Sequence, residues 1–190
     1  MSEHERTPAA GPEAAFPPAP WPDTCTTEGL HPWLEPVRAF LGRWRGRGEG
    51  SYPTLAEGFA YEQEITFSHD GRPFLHYEAR AWLVDEHGTP LRPSGRETGW
   101  WRVTPEGYME ALLAHPTGIA ETYTGRVTGN TVEMATEAVV RTPVAKEVTA
   151  EHRRYVLADD GTLGYATQLA GVGQPLQHHL AATLRPYPLP

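Results

Sequence analysis

The sequence predicts an all-β fold, a ten-stranded up-and-down antiparallel β-barrel preceded by a short N-terminal helix, and three observations predict it. From Gly42 onward apolar and polar side chains alternate with a period of two, the repeat of a strand that buries one face. Short turns join the segments, His69-Asp70-Gly71, Glu86-His87-Gly88, Gly129-Asn130 and Asp159-Asp160-Gly161 among them, and turns of that chemistry connect antiparallel neighbours. No helical stretch follows that would cover so wide a sheet, and an uncovered sheet removes its exposed edges by closing on itself. Ten strands close around more space than side chains fill, so an internal ligand cavity is expected.

Taken in order, residues 1–30 are rich in Pro, Ala, Glu and Thr and show no periodicity. They bury too little apolar surface to offset ordering and are expected to form a disordered tail that includes Trp21 and Cys25. The barrel domain is expected over 31–187. In HPWLEPVRAFLG (31–42), Trp33, Leu34, Val37, Phe40 and Leu41 recur at helical spacing, Pro36 interrupts them and Gly42 ends them; such a helix can plug one end of a barrel. The expected strands are 42–52, 59–68, 73–84, 97–104, 107–115, 118–128, 131–140, 146–158, 162–170 and 176–185.

Composition narrows the function classes. A net charge of −8 without a run of basic residues argues against a nucleic-acid surface or an anionic membrane patch. The lone Cys25 leaves no disulfide framework and no thiolate metal site, which fits a reducing compartment. The first residues lack a basic start followed by an apolar run, and no segment is long and apolar enough to cross a bilayer, so the expected location is cytoplasmic.

Two stretches carry chemistry. In QPLQHHLAATLR (174–185), strict alternation sets Leu176, His178, Leu180, Ala182 and Leu184 on one face and Gln177, His179, Ala181, Thr183 and Arg185 on the other. A flat ligand needs room, which Ala and Thr leave and Leu fills, so His179 is the better candidate metal ligand and His178 its rival. From the strand alone, a solvated His pair at a barrel edge stays open as an alternative. In the Gly-x-Trp-x-Gly-x-Gly run, Gly42, Trp44, Gly46 and Gly48 occupy alternate positions; this reads as a sharply coiled first strand of a lipocalin-like barrel with Trp44 packed at the closed end. Thr54 follows, either at a ligand rim or in a turn.

Together, GRWRGRGEGSYPTL (42–55), AKEV (145–148) and PLQHHLAATL (175–184) resemble the nitrobindin family, haem-binding barrels similar in shape to fatty-acid-binding proteins. The resemblance spans about 31–185. It implies His179 as the axial ligand of a ferric haem b and as the residue on which catalysis depends, with Thr54 as a haem contact. Lys146 and Arg154, read as sharing one face of a strand, are implied as partners for the propionates, against the alternative that both are exposed barrel charge. It further implies isomerisation of peroxynitrite to nitrate, binding of nitric oxide, and protection against reactive nitrogen species. The partners expected are these small molecules, with no nucleic acid or membrane and with a homodimer left open. Competing readings are a carrier of a fatty acid or other apolar ligand, and a nitric oxide sensor without turnover.

Overall fold

The computed structural model describes residues 20–188. A 3₁₀ helix (Pro32–Phe40) leads into ten strands: β1 (Gly42–Gly50), β2 (Phe59–Ser68), β3 (Leu75–Val84), β4 (Pro90–Val103), β5 (Tyr108–His115), β6 (Ile119–Thr128), β7 (Thr131–Arg141), β8 (Ala150–Leu157), β9 (Leu163–Gly171) and β10 (Gln174–Pro186). Each strand pairs antiparallel with its chain neighbours, and β1 pairs with β10 to close the barrel. The expected barrel is therefore the observed one. No helix among the described residues is long and apolar enough to cross a membrane.

The helix tightens to 3₁₀ because Pro36 lies inside it and can donate no backbone bond. It buries Leu34, Val37 and Phe40 in one end of the barrel. There the Trp44 Nε1–H donates to Phe40 O at 2.8 Å, and Phe40, Phe67, Trp101, Tyr77 and Tyr155 pack ring against ring. Met109 and Met134 are buried in the same core. This end is filled and closed.

Residues 20–30 depart from the expected tail. Thr24 forms a two-way backbone bridge with His69, with N···O distances of 2.8 and 2.9 Å, and Leu30 packs on the core. Residues 1–19 of the expected tail lie outside the described residues.

β4 and β8 differ most from the expected strand bounds. β4 begins at Pro90, seven residues before the alternation becomes clear, because β3 supplies a partner there while β5 pairs only with Thr98 onward. β8 begins at Ala150 rather than 146, since 142–149 turns away from β7 and tracks β9 through Thr149 N–H to Ala170 O and Val172 N–H to Glu147 O. At the end opposite the helix, β4 and β5, and likewise β7 and β8, are thus partly unzipped.

Candidate functional site

The ladder between β10 and β9 is interrupted at the two histidines. His178 pairs with Gln168 and Leu180 pairs with Thr167, which makes His179 the extra residue of a β-bulge. The expectation that His179 shares an inward face with Ala181, Thr183 and Arg185 is corrected: Leu180, Ala182 and Leu184 face the interior, whereas Thr183 and Arg185 are exposed. Strict alternation would have sent His179 outward, and the bulge turns it onto the cavity rim beside Leu180. Bulges re-aim single side chains in this way. His178 is exposed.

The surroundings of His179 fix its chemical state. Its Nδ1 lies 3.2 Å from Ser51 O, and a carbonyl only accepts, so Nδ1 carries the proton. When the ring is neutral, Nε2 holds a free lone pair. Burial favours that neutral form and lowers the imidazole below its ordinary pKa, with His178 adding to the effect; together they outweigh the Ser51 carbonyl, which acts the other way. Tyr52 is buried against the ring, centroid to centroid 5.4 Å at 73°.

A cavity of about 250 Å³ occupies this half of the barrel. Phe59, Ala81, Ile119, Val148, Leu169 and Leu180 supply its apolar wall. Ser94, Gly95 and Arg96 on β4 both line it and are exposed, so it communicates with solvent where the ladder is unzipped. In the loops and strand start at this end of the barrel Leu55, Val144 and Leu176 stand 45%, 95% and 47% exposed.

The opposite wall is ionic. Arg153, almost fully buried, donates from Nη1 and Nη2 to the two oxygens of Glu97 at 2.7 and 2.8 Å and from Nε to the Tyr123 hydroxyl at 2.9 Å. Burial alone would raise the Glu97 carboxyl, but the guanidinium beside it holds it down at about 2. Glu151 goes the other way: burial, with Glu121 and Glu97 nearby, pushes it up to about 7 against the pull of Arg153. Tyr123 Oη lies 2.6 Å from Glu121 and 3.1 Å from Glu151. A hydroxyl has one proton to give, so a protonated Glu151 donating to Tyr123, which donates to Glu121, satisfies every group. His115 donates to Glu121 at 2.9 Å and sits 3.5 Å from Glu97; these acids overcome burial and raise its pKa. With Glu151 neutral and His115 charged, two anions balance two cations.

Sequence reasoning missed this network. Its signal was present in the charged residues at inward positions, Glu121 before Tyr123, and Glu151 and Arg153 before Tyr155.

The other expected site residues divide. Thr54 is exposed in the β1–β2 loop and Lys146 is exposed in the β7–β8 loop, both at the cavity end. Arg154 is exposed on the outer face of β8, opposite Glu133 of β7. Its placement on a common strand face with Lys146 is corrected, because Lys146 precedes the strand; the cation of β8 that reaches the cavity is Arg153. In the glycine run, Gly42 makes the helix-to-strand corner at φ 128°. Trp44 seals the closed end, while Gly46 and Gly48 let β10 and the Tyr61 ring approach the backbone.

These residues fit a group with an apolar face that takes one imidazole nitrogen and carries an anionic end. His179 offers Nε2, one wall is apolar, Arg96 lines the mouth, and Leu55, Val144, Lys146 and Leu176 are exposed in the loops and strand start at the same end of the barrel.

Residues 33–185 match the family described as "THAP4-like, heme-binding beta-barrel domain". A protein of Streptomyces griseus named peroxynitrite isomerase is 61% identical over 155 residues, covering 82% of this chain and 84% of that protein. One of the same name from Salinispora tropica is 52% identical over 167 residues, 85% of this chain and 84% of that protein. The crystal structure of Rv2717c from M. tuberculosis superposes with a TM-score of 0.72 at 43% identity, over 84% of this chain and 99% of that one.

Proposed function

The chain belongs to the family of THAP4-like, haem-binding β-barrel domains, and from that membership we propose that it holds a ferric haem b through His179 and isomerises peroxynitrite to nitrate, with nitric oxide as a second ligand. The observation that carries the proposal is the Nδ1 contact of His179 with Ser51 O. It leaves Nε2 bare at the rim of an apolar cavity, in the protonation state a metal ligand requires.

When bound, the haem supplies an iron centre at which peroxynitrite is converted to nitrate. The protein's own share is binding and shielding. His179 contributes its lone pair, and Phe59, Ile119 and Leu180 keep water from the inner face. The buried ionic wall pairs Arg153 and His115 with its carboxylates, which limits the uncompensated charge beside the ligand. Arg96 and Lys146 are the proposed partners of the propionates, and Thr54 a contact from the β1–β2 loop. Among the described residues, Met109 and Met134 are buried in the core and do not line the cavity, and Cys25 lies near Asp23 and Arg43 with its thiol pKa raised by burial. A cytoplasmic location belongs to the same proposal, supported by the single thiol.

The test is an absorption spectrum of the purified protein with added haem. A Soret band is expected in the wild type and in His178→Ala, and its loss or shift in His179→Ala, with nitrate yield from peroxynitrite falling in step. A wild-type band in His179→Ala overturns the assignment of the ligand. No haem uptake at all favours a carrier of another apolar ligand.

A further inference from the structure

His179 is a bulged residue, so it lacks a ladder partner on β9, and its ring is held from outside its own strand. Ser51, the first residue after β1, donates its N–H to His179 O at 3.0 Å and accepts a hydrogen bond from His179 Nδ1–H on its carbonyl. Tyr52 follows. It is only 8% exposed, its ring meets the imidazole edge to face, and its hydroxyl donates to Gly171 O at 2.9 Å, with Leu169 O at 3.4 Å. Gly171 begins the turn from β9 to β10, and that turn is strained: Val172 adopts φ 52°, a left-handed conformation that a β-branched side chain disfavours. Glu147 grips the turn from the other side, accepting from Val172 N–H and Gly173 N–H.

We infer that Tyr52 is the positioning residue of His179: its hydroxyl struts the β1–β2 loop against the β9–β10 corner, so that Ser51 O stays on Nδ1 and Nε2 stays bare toward the cavity. The imidazole has two rotatable bonds and a bulge on which to turn, and the strut is the contact that removes that freedom. This deepens the proposed haem site and rests on His179 being its ligand.

The experiment uses Tyr52→Phe, which keeps the ring against the imidazole and deletes only the strut. In the haem-free protein, long-range ¹H–¹⁵N spectra of the His179 ring at pH 8 are expected to show the Nδ1–H tautomer alone in the wild type and a mixture of tautomers in the variant. With haem bound, the dissociation rate is expected to rise about tenfold, the size of effect typical of groups that orient a metal ligand. Thermal melting of both proteins reports the purely structural share of the change. The inference is overturned if Tyr52→Phe keeps the single tautomer and loses haem within twofold of the wild-type rate, whatever its melting temperature. It is separable from the haem assignment, since the tautomer is read without haem and the assignment fails on His179→Ala alone.

Discussion

Arg153 is the residue on which the interior of the barrel depends most. A guanidinium with almost no exposure meets Glu97, Glu151 and Tyr123 at once, and its removal leaves buried carboxylates without their cation. Breaking a buried ion pair from one side costs about 3–5 kcal/mol because an uncompensated charge is left behind. Arg153→Met is therefore expected to lower stability by about that much in urea unfolding, while Arg154→Met, one residue on and exposed, changes it by less than about 0.5 kcal/mol. A similar result for the two variants would refute the inward and outward assignment on β8. Two neighbours of one residue type, with opposite consequences, show what alternation does in a strand.

At the scale of elements, the first and last strands make the barrel a closed surface, and small residues decide how tightly. A Cβ at Gly48 would run into the Ala181 carbonyl on β10 and stand 2.6 Å from the Tyr61 ring. The Gly46 position meets the backbone of Thr183 in the same way. Gly48→Ala is expected to destabilise the protein by about 1–3 kcal/mol through overpacking, and to shift the haem spectrum as well, since Gly48 pairs opposite Ala182 a few residues along β10 from the bulge. A melting temperature equal to the wild type would show that the seam has slack. The pattern of glycines was legible in the sequence as a coiled strand, and Trp44 was legible as its seal. The bulge was not. It depends on β9 offering one residue fewer than β10 between two paired positions, and register against a neighbour is invisible within a single strand's alternation. The strand's alternation chose His179 over His178 by the room that Ala181 and Thr183 would leave, and the face they occupy proved to be the outer side of the sheet; the bulge is what turns His179 onto the cavity rim.

The whole molecule responds to pH through its buried network. Glu97, held down at about 2, stabilises the fold fully above the ordinary carboxylate range, and that stabilisation is lost as pH falls through the lowered value. Glu151, pushed up to about 7, and His115, also raised, work in the other sense: their contributions are complete at low pH and are shed as pH rises through their raised values. His179, lowered by burial, adds stability that is lost toward acid. Glu151→Gln mimics the protonated acid at every pH. Relative to the wild type it is expected to be nearly neutral at pH 5 and to gain about 1–3 kcal/mol by pH 8, measured as the difference in unfolding free energy at the two pH values. An unchanged difference would mean that Glu151 is ionised throughout. The sequence by itself determined the barrel, its strand count and the plug at one end, because these follow from periodicity and turn chemistry, which are local. Tertiary structure alone decided that His179 faces inward, that Arg153 rather than Arg154 reaches the cavity, and that three acids share one interior with a single arginine and a histidine. Each of those depends on which residues of distant strands come to lie side by side, and closing the barrel sets that.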